Sequence, residues 1–114
     1  MASKDASDLK PVARNTLLYS ILIPAYNEEE NIIPTARALA QELRSEGIPF
    51  ELLIVNDNSK DRTPQVVQEA QSEIPEIRLV HNTPPGGLGR AVRFGLKQFS
   101  ADAVAVVMAD LSDD

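Results

Sequence analysis

The sequence predicts an α/β fold in which a parallel β-sheet is covered by helices on both faces. Two observations favour this class. Short apolar segments alternate along the chain with segments of helical hydrophobic period, which is the pattern of βαβ units. The apolar segments are hydrophobic at nearly every position, as is typical of strands that helices cover on both sides. We expect right-handed crossovers and the strand order 3-2-1-4.

We expect residues 1–15 to form a flexible N-terminal arm that precedes the first strand. Residues 17–23 are rich in β-favouring side chains, and Pro24 is expected to end this strand. Residues 28–45 carry apolar side chains at spacings of three and four, which predicts a helix. Three glutamates fall in its first turn, where the helix dipole favours them. Residues 50–55 form the second predicted strand.

The rest of the chain repeats this alternation. Thr63 and Pro64 suit the N-cap and first position of a helix that runs to about residue 73. The remaining predicted elements are a third strand, a third helix and a fourth strand, over residues 77–80, 88–99 and 103–108.

Composition narrows the classes of function. With 114 residues, the chain is one domain or part of one. The net charge of −6 argues against a nucleic-acid-binding surface, although a local site can still bind a small anion. The absence of cysteine excludes disulfides, thiolate zinc sites and cysteine nucleophiles. The longest apolar run, residues 103–109, is too short for a membrane-spanning helix.

Polar or glycine-rich segments follow each of the four predicted strands, over residues 24–28, 56–61, 86–90 and 110–114. Ligands of open parallel sheets bind beyond the carboxyl ends of the strands, so the topology gathers these segments into one crevice. Taken singly, each segment also fits a structural role as a strand stop, a turn, a close helix contact or solvated acidic surface. The glycines match neither the dinucleotide fingerprint nor the P-loop.

The same segments resemble motifs of glycosyltransferase family 2. Residues 23–28 read I-P-A-Y-N-E, like the opening motif of the family, and residues 54–63 resemble its V-D-D-x-S-x-D-x-T loop. Residues 87–97 are similar to the G-L-G-x-A…G-L-K stretch of the polyprenyl-phosphate branch, which includes dolichyl-phosphate mannose synthases and bactoprenol glucosyltransferases. Residues 108–112, M-A-D-L-S, stand where that branch has D-A-D-L-S. The resemblance covers roughly residues 19–114.

The resemblance implies a GT-A, Rossmann-like fold, with residues 16–114 as the nucleotide-sugar-binding part of a longer glycosyltransferase. It implies transfer of glucose or mannose, with inversion, from UDP-glucose or GDP-mannose to a polyprenyl phosphate lipid. It also implies that the full-length protein works at the cytoplasmic face of a membrane, and it leaves a homo-oligomer open. The present chain alone is expected to be soluble, to bind the donor weakly and to transfer nothing.

The resemblance also implies roles for individual residues. The implied nucleotide-binding set is Pro24, Ala25, Tyr26, Glu28, Asp57, Gly89, Arg90 and Arg93. In this set the third helix and its arginines would meet the diphosphate. The implied set for Mg²⁺ or Mn²⁺ is Asp110, Ser112 and Asp113, with Asp110 as the catalytic ligand.

Two residues depart from the family pattern. Met108 replaces the first acidic residue of D-A-D and cannot ligate a hard cation. We expect it to pack in the core beside Val106, which leaves Asp110 as the central ligand. Asn56 replaces the first aspartate of the second motif and so removes one charge. Two alternatives stay open. The branch motifs also allow a family member with a saccharide acceptor, and Met108 allows a non-catalytic nucleotide-binding module.

Overall fold

The computed structural model describes residues 17–110. The predicted N-terminal arm, residues 1–15, and the predicted ligands Ser112 and Asp113 lie outside this range. The elements in chain order are β1 (Tyr19–Ala25), α1 (Ile32–Ser45), β2 (Phe50–Asn56), α2 (Thr63–Ala70), β3 (Ile77–His81), α3 (Leu88–Leu96) and β4 (Ala103–Val106). No helix in this part of the chain is both long and apolar enough to cross a membrane.

The four strands form one parallel sheet in the order β3-β2-β1-β4, which confirms the predicted topology. The last residues of the three adjoining strands are in register, because Ala25 aligns with Asn56 and Asn56 aligns with His81. The segments that follow these strands therefore start from the same edge of the sheet. This carboxyl edge is where a parallel sheet places its ligands.

Helices cover both faces of the sheet, as predicted. Side chains of a strand alternate between faces, and two separate buried clusters result. On one face, Ile23 and Ile54 pack with α1 and α2. On the other face, Leu22 and Val55 pack with α3 through Ala91. All four of these side chains are fully buried, which explains why the two central strands, β1 and β2, are apolar at nearly every position. The edge strand β4 is exposed or half-buried along its length.

The prediction that Pro24 ends the first strand is wrong, since β1 continues through Pro24 to Ala25. The Leu22 carbonyl accepts a hydrogen bond from the Val107 amide on the β4 side. Pro24 lies two residues further on, so its missing N–H also faces that side. There the ladder stops, with Val106 paired to Leu22 as the last residue of β4. Pro24 therefore ends β4, which was predicted to reach residue 108, and leaves β1 intact.

Several helix boundaries also differ from the prediction. The helix α1 begins at Ile32, so the three glutamates precede it in a turn closed by hydrogen bonds from Asn31 and Ile32 to the Glu28 carbonyl. Thr63, the predicted N-cap, is instead the first residue of α2. Its hydroxyl accepts a hydrogen bond from the Glu28 amide and does not cap the helix. The helices α2 and α3 each end three residues before the predicted positions.

Gly95 allows α3 to approach the sheet closely. A Cβ atom at this position would lie 2.5 Å from Leu22 Cδ1 and 3.0 Å from Val55 Cγ2. We predict that Gly95→Ala lowers the free energy of unfolding by about 1–3 kcal/mol, because overpacking outweighs the gain in helix propensity.

Gly89→Ala is the matched control, because a Cβ at Gly89 has no neighbour within 4 Å. This substitution should leave stability unchanged or raise it by up to about 1 kcal/mol. Urea unfolding of both variants measures the difference. Equal stability of the two variants would show that α3 does not pack on the sheet as described.

Candidate functional site

A cavity of about 520 Å³ opens at the carboxyl edge of the sheet. It brings together five of the residues implied as nucleotide contacts: Pro24, Ala25, Tyr26, Glu28 and Asp57. Segments after β1 and β2, the start of α3 and the segment after β4 form its walls. The remaining lining residues are Asn58, Lys60, Gly86, Gly87, Leu88 and Met108.

Asp57 is buried at the base of this cavity, with only 7% of its surface exposed. Its Oδ2 accepts a hydrogen bond from the Gly87 amide at 2.8 Å, and its Oδ1 accepts one from the Asn82 side chain at 3.0 Å. Its own amide donates to the Ala25 carbonyl at 2.8 Å. A carboxylate offers about four acceptor positions, so Asp57 can also accept a hydrogen bond from a ligand N–H.

Two glycines allow residues 82–87 to lie against Asp57. A Cβ at Gly86 would come within 2.9 Å of Asp57 Oδ1, and Gly87 has a φ of 133°, which side chains rarely tolerate. We call residues 82–87 the partition, because they separate this cavity from a second one. Gly89, the glycine implied as a nucleotide contact, lines neither of the two cavities and has open space around it.

The segments after β1 and β2 are joined by side chains of the two motifs. The side-chain oxygen of Asn27 accepts a hydrogen bond from the Lys60 amide at 2.8 Å. The Asn27 amide in turn donates to the Ser59 hydroxyl at 3.0 Å. The Glu28 amide donates to the Thr63 hydroxyl at 2.8 Å. Ser59 and Thr63 of the second motif therefore hold the two segments together. These hydrogen bonds give the serine and the threonine of the motif a structural role.

Asp61 completes this joint. Its carboxylate accepts hydrogen bonds from the Thr63 amide and hydroxyl and from the Glu29 amide. Burial raises the pKa of the Asp61 carboxyl, but the hydrogen bonds from Thr63 and Glu29 together outweigh burial and hold the pKa below its ordinary value.

Asn56, which replaces an aspartate of the family motif, has a structural role here. Its side chain is buried, accepts the Ser59 amide at 3.2 Å and lies 3.1 Å from His81 Nδ1. Asn56 does not line the large cavity. The loss of charge at this position therefore leaves the cavity wall itself unchanged.

Arg90 and Arg93 lie apart from Asp57 and its neighbours. They line a second cavity of about 250 Å³ on the other side of the partition, together with Lys97. The partition presents Gly86 and Gly87 to the large cavity, and it presents residues 82–85 to the smaller one. The two arginines thus line a different cavity from the five implied residues that line the large one.

Asp110 is exposed just after β4 and does not line the large cavity. The preceding residue is fixed, because the buried Thr35 hydroxyl donates to the Ala109 carbonyl at 2.6 Å. Within residues 17–110 no three His, Cys, Asp or Glu side chains form a group that could hold a metal. A cation at Asp110 would therefore take its other ligands from residues 111–114, a bound diphosphate or water, a combination that Mg²⁺ commonly accepts.

The expectation that Met108 packs in the core is wrong. Met108 is 47% exposed and lines the large cavity, and Val106 beside it is also 47% exposed. The reason is that β4 ends at Val106, so Met108 belongs to the segment that leaves the sheet. Met108 thus contributes an apolar wall where the family pattern has a carboxylate.

No individual role was predicted for Asn58, Lys60, Leu88, Asn82 or the glycines of the partition. All but Asn82 fall inside or beside the four segments that were singled out, so their position was the available signal. Asn82 follows β3 directly and could have been found only as another polar residue at a carboxyl strand end.

The fold is an α/β domain in which a parallel sheet has a cavity at its carboxyl edge, the place where such sheets bind ligands. The sequence matches the model of "Glycosyl transferase family 2" over residues 20–114. The chain therefore belongs to glycosyltransferase family 2.

Known relatives agree with this assignment. The chain is 37% identical to the dolichol-phosphate mannosyltransferase of Pyrococcus furiosus, over 81% of this chain and 25% of that protein. Among solved structures it is similar to residues 1–349 of S. aureus TarS in complex with UDP-GlcNAc, with a TM-score of 0.69 and 29% identity over 82% of this chain and 27% of that fragment. It is also similar to the glucosyl-3-phosphoglycerate synthase of Mycobacterium tuberculosis with Mn²⁺, UDP and phosphoglyceric acid, with a TM-score of 0.64 and 25% identity over 86% of this chain and 34% of the synthase. The chain spans about a quarter to a third of the length of these relatives.

The hydrogen bonds to Asp61 lead to a prediction about acid stability. Because the pKa of Asp61 is lowered by folding, its stabilising contribution is complete above the unfolded value of about 3.9 and is lost as the pH falls through the folded value. We predict that Asp61→Asn destabilises the chain at about pH 6 and that the difference from wild type shrinks below about pH 4.

The midpoints of urea unfolding of wild type and Asp61→Asn, measured at about pH 6 and below about pH 4, test this prediction. Glu30→Gln is the control for the loss of one exposed charge. A destabilisation by Asp61→Asn that is the same at both pH values would contradict the role of the ionised carboxylate.

Proposed function

We propose that the protein carrying this chain is an inverting hexosyltransferase that uses a nucleoside-diphosphate sugar and a polyprenyl phosphate acceptor. The observation that carries the donor part is the cavity in which Asp57, Tyr26 and Lys60 meet at the carboxyl edge. Support for the acceptor part comes from the resemblance of residues 87–97 and 108–112 to the polyprenyl-phosphate branch. The relative in P. furiosus that is named dolichol-phosphate mannosyltransferase also supports this acceptor.

The chemistry of the cavity suits a nucleotide. Asp57 is a carboxylate acceptor held by hydrogen bonds from Gly87, Asn82 and Asn58, which suits an N–H group of a base. The Tyr26 ring is 51% exposed at the cavity and offers an apolar face for a base or ribose. Lys60 has no ion-pair partner among residues 17–110 and can meet a phosphate.

The donor is UDP-glucose or GDP-mannose in this proposal. Two of the similar structures hold UDP or a UDP-sugar, whereas the P. furiosus relative is named for mannose transfer. Neither Asp57 nor Tyr26 distinguishes a pyrimidine from a purine by hydrogen bonding alone, so the proposal covers both donors.

A phosphate acceptor needs no strong general base in this cavity. The second pKa of a phosphate monoester is about 6, so near neutral pH the acceptor is already an anion. One of its oxygens forms the new bond to the anomeric carbon while the bond from that carbon to the diphosphate breaks. The bonding electrons leave with the nucleoside diphosphate, and configuration at the carbon inverts.

A divalent cation, Mg²⁺ or Mn²⁺, is part of the proposal, and the synthase of M. tuberculosis was solved with Mn²⁺. Asp110 would hold it, with Ser112 and Asp113 as further ligands. Such a cation stabilises the negative charge of a departing nucleoside diphosphate. We also propose that the whole protein works at the cytoplasmic face of a membrane, where a lipid acceptor is accessible.

Transfer by the whole protein tests the reaction directly. Radiolabelled UDP-glucose and GDP-mannose are offered with a short polyprenyl phosphate, and the matching unphosphorylated polyprenol serves as control. The proposal requires metal-dependent labelling of the phosphate lipid alone. Transfer to a saccharide instead would assign the chain to another branch of the family, and nucleotide binding without any transfer would make it a binding module.

The proposed role of Asp57 leads to a prediction about nucleotide affinity. Asp57→Asn should weaken binding of the nucleotide about tenfold, because a charged acceptor in a buried position is lost. Asn82→Ala is the matched control, since it removes a hydrogen bond to the same carboxylate but does not line the large cavity. Its affinity should change by no more than about threefold.

Calorimetry measures both affinities in the whole protein, with thermal melting to check the fold. Because Asp57 also holds the partition, Asp57→Ala is expected to cost about 1–3 kcal/mol of stability and is the less suitable variant. Unchanged affinity in Asp57→Asn would remove this residue from the nucleotide site.

The exposure of Met108 beside the cavity gives a second prediction. Asp110→Asn should abolish metal-dependent transfer, whereas Met108→Asp should preserve or strengthen Mn²⁺ binding because it restores a hard ligand at the cavity wall. Mn²⁺ titration in the presence of UDP compares these variants with Asp113→Asn and Asp114→Asn. Normal binding in Asp110→Asn together with a loss in Asp113→Asn would show that the central ligand is wrongly assigned.

A further inference from the structure

The lysines and arginines of residues 17–110 divide into two groups. Four arginines form ion pairs with glutamates, namely Arg37, Arg44, Arg62 and Arg78. The other four cations have no such partner in this part of the chain, and every one of them lines a cavity. Lys60 lines the large cavity, and Arg90, Arg93 and Lys97 line the smaller one. The unpaired positive charge is therefore concentrated at the two cavities.

The smaller cavity, which we call the basic groove, is built on one face of α3 and its continuation. Arg90, Arg93 and Lys97 stand at spacings of three and four, so they lie above one another on the same side of the helix. Pro84 and Pro85 of the partition form the facing wall, and the half-buried Phe94 lies between the cations. No acidic side chain lines the basic groove.

This arrangement costs energy in the absence of a ligand. Like charges three and four residues apart repel one another. Arg90 also falls in the first turn of α3, where the helix dipole disfavours a cation, and no acidic residue is present in that turn to compensate. In a chain with a net charge of −6, three uncompensated cations around one concave site indicate an anionic ligand.

We propose that the basic groove is a binding site for a phosphate monoester, separate from the nucleotide cavity. A phosphate monoester carries close to two negative charges and three acceptor oxygens, which matches three converging cations better than a single carboxylate does. Guanidinium groups bind phosphate oxygens in pairs of parallel hydrogen bonds, and lysine adds a point charge. The volume of about 250 Å³ suits a compact group.

This site does not depend on the proposed transfer reaction, because it shares no lining residue with the cavity that holds Asp57. The same phosphate chemistry occurs in soluble phosphorylated metabolites and in the headgroup of phosphatidic acid. The experiment below therefore includes one arm for each source.

Inorganic phosphate is the first probe, titrated at constant ionic strength against chloride. The Nε–H signals of Arg90 and Arg93 should shift in NMR spectra of the ¹⁵N-labelled chain and should saturate together. The triple variant Arg90→Gln, Arg93→Gln, Lys97→Gln should weaken this binding about tenfold or more. Its melting temperature should not fall, because the substitutions relieve repulsion and glutamine is a good helix former.

The triple variant Arg37→Gln, Arg44→Gln, Arg62→Gln is the control, because it removes the same number of exposed cations outside both cavities. It should leave the affinity for phosphate within about twofold. An equal loss of phosphate affinity in both triple variants would show that only the net charge matters, and it would overturn the proposal. Loss of binding in Lys60→Gln, with normal binding in the basic-groove variant, would place the phosphate in the nucleotide cavity and also overturn it.

Flotation with phosphatidylcholine vesicles, with and without phosphatidic acid, separates the two sources. Flotation that needs phosphatidic acid and the three cations would identify a lipid headgroup as the carrier of the phosphate. Phosphate binding without flotation would identify a soluble phosphate monoester. Binding of neither probe would overturn the proposal.

Discussion

Both cavities depend on the hydrogen bonds between the Asp57 carboxylate and the partition. The carboxylate lies buried just beyond β2 and holds the partition through Gly87 and Asn82. A buried carboxylate must be hydrogen-bonded, and here two of its three donors come from the partition, while the third is the Asn58 side chain. The partition can approach only because Gly86 has no side chain. The hydrogen bonds of this carboxylate therefore position the segment that borders both the large cavity and the basic groove.

Pro24 is the second constraint, because it shapes the edge of the sheet where the cavity opens. Without an N–H group, it stops the ladder between β1 and β4 at Leu22 and Val106. The chain after β4 then leaves the sheet early, which brings Met108 to the cavity wall and exposes Asp110. The opening motif of the family thus has a structural task at the sheet edge as well as the contacts to the nucleotide proposed for it.

The fold could be predicted from the sequence because its signals are local and repeated. Apolar strands, helical periods and polar strand ends determine a parallel sheet and its functional edge, and the predicted order of strands is confirmed. The details of the site depended on contacts between distant segments, which periodicity does not contain. Asp57 accepts a hydrogen bond from Asn82, which lies far along the chain, and Arg90 lines a different cavity from Asp57. The family resemblance implied that Arg90 and Arg93 meet the diphosphate, but residue type could not show which cavity these arginines line.

We propose that the cavity around Asp57 binds a nucleoside diphosphate and that the basic groove does not. Chemical-shift mapping of the ¹⁵N-labelled chain with UDP, and separately with GDP, can test this proposal because it detects weak binding. We expect shifts of the Tyr26, Asp57 and Gly87 amides at the carboxyl edge, with the Nε–H signals of Arg90 and Arg93 unmoved. Shifts confined to Arg90 and Arg93, with the amides around Asp57 unchanged, would contradict it.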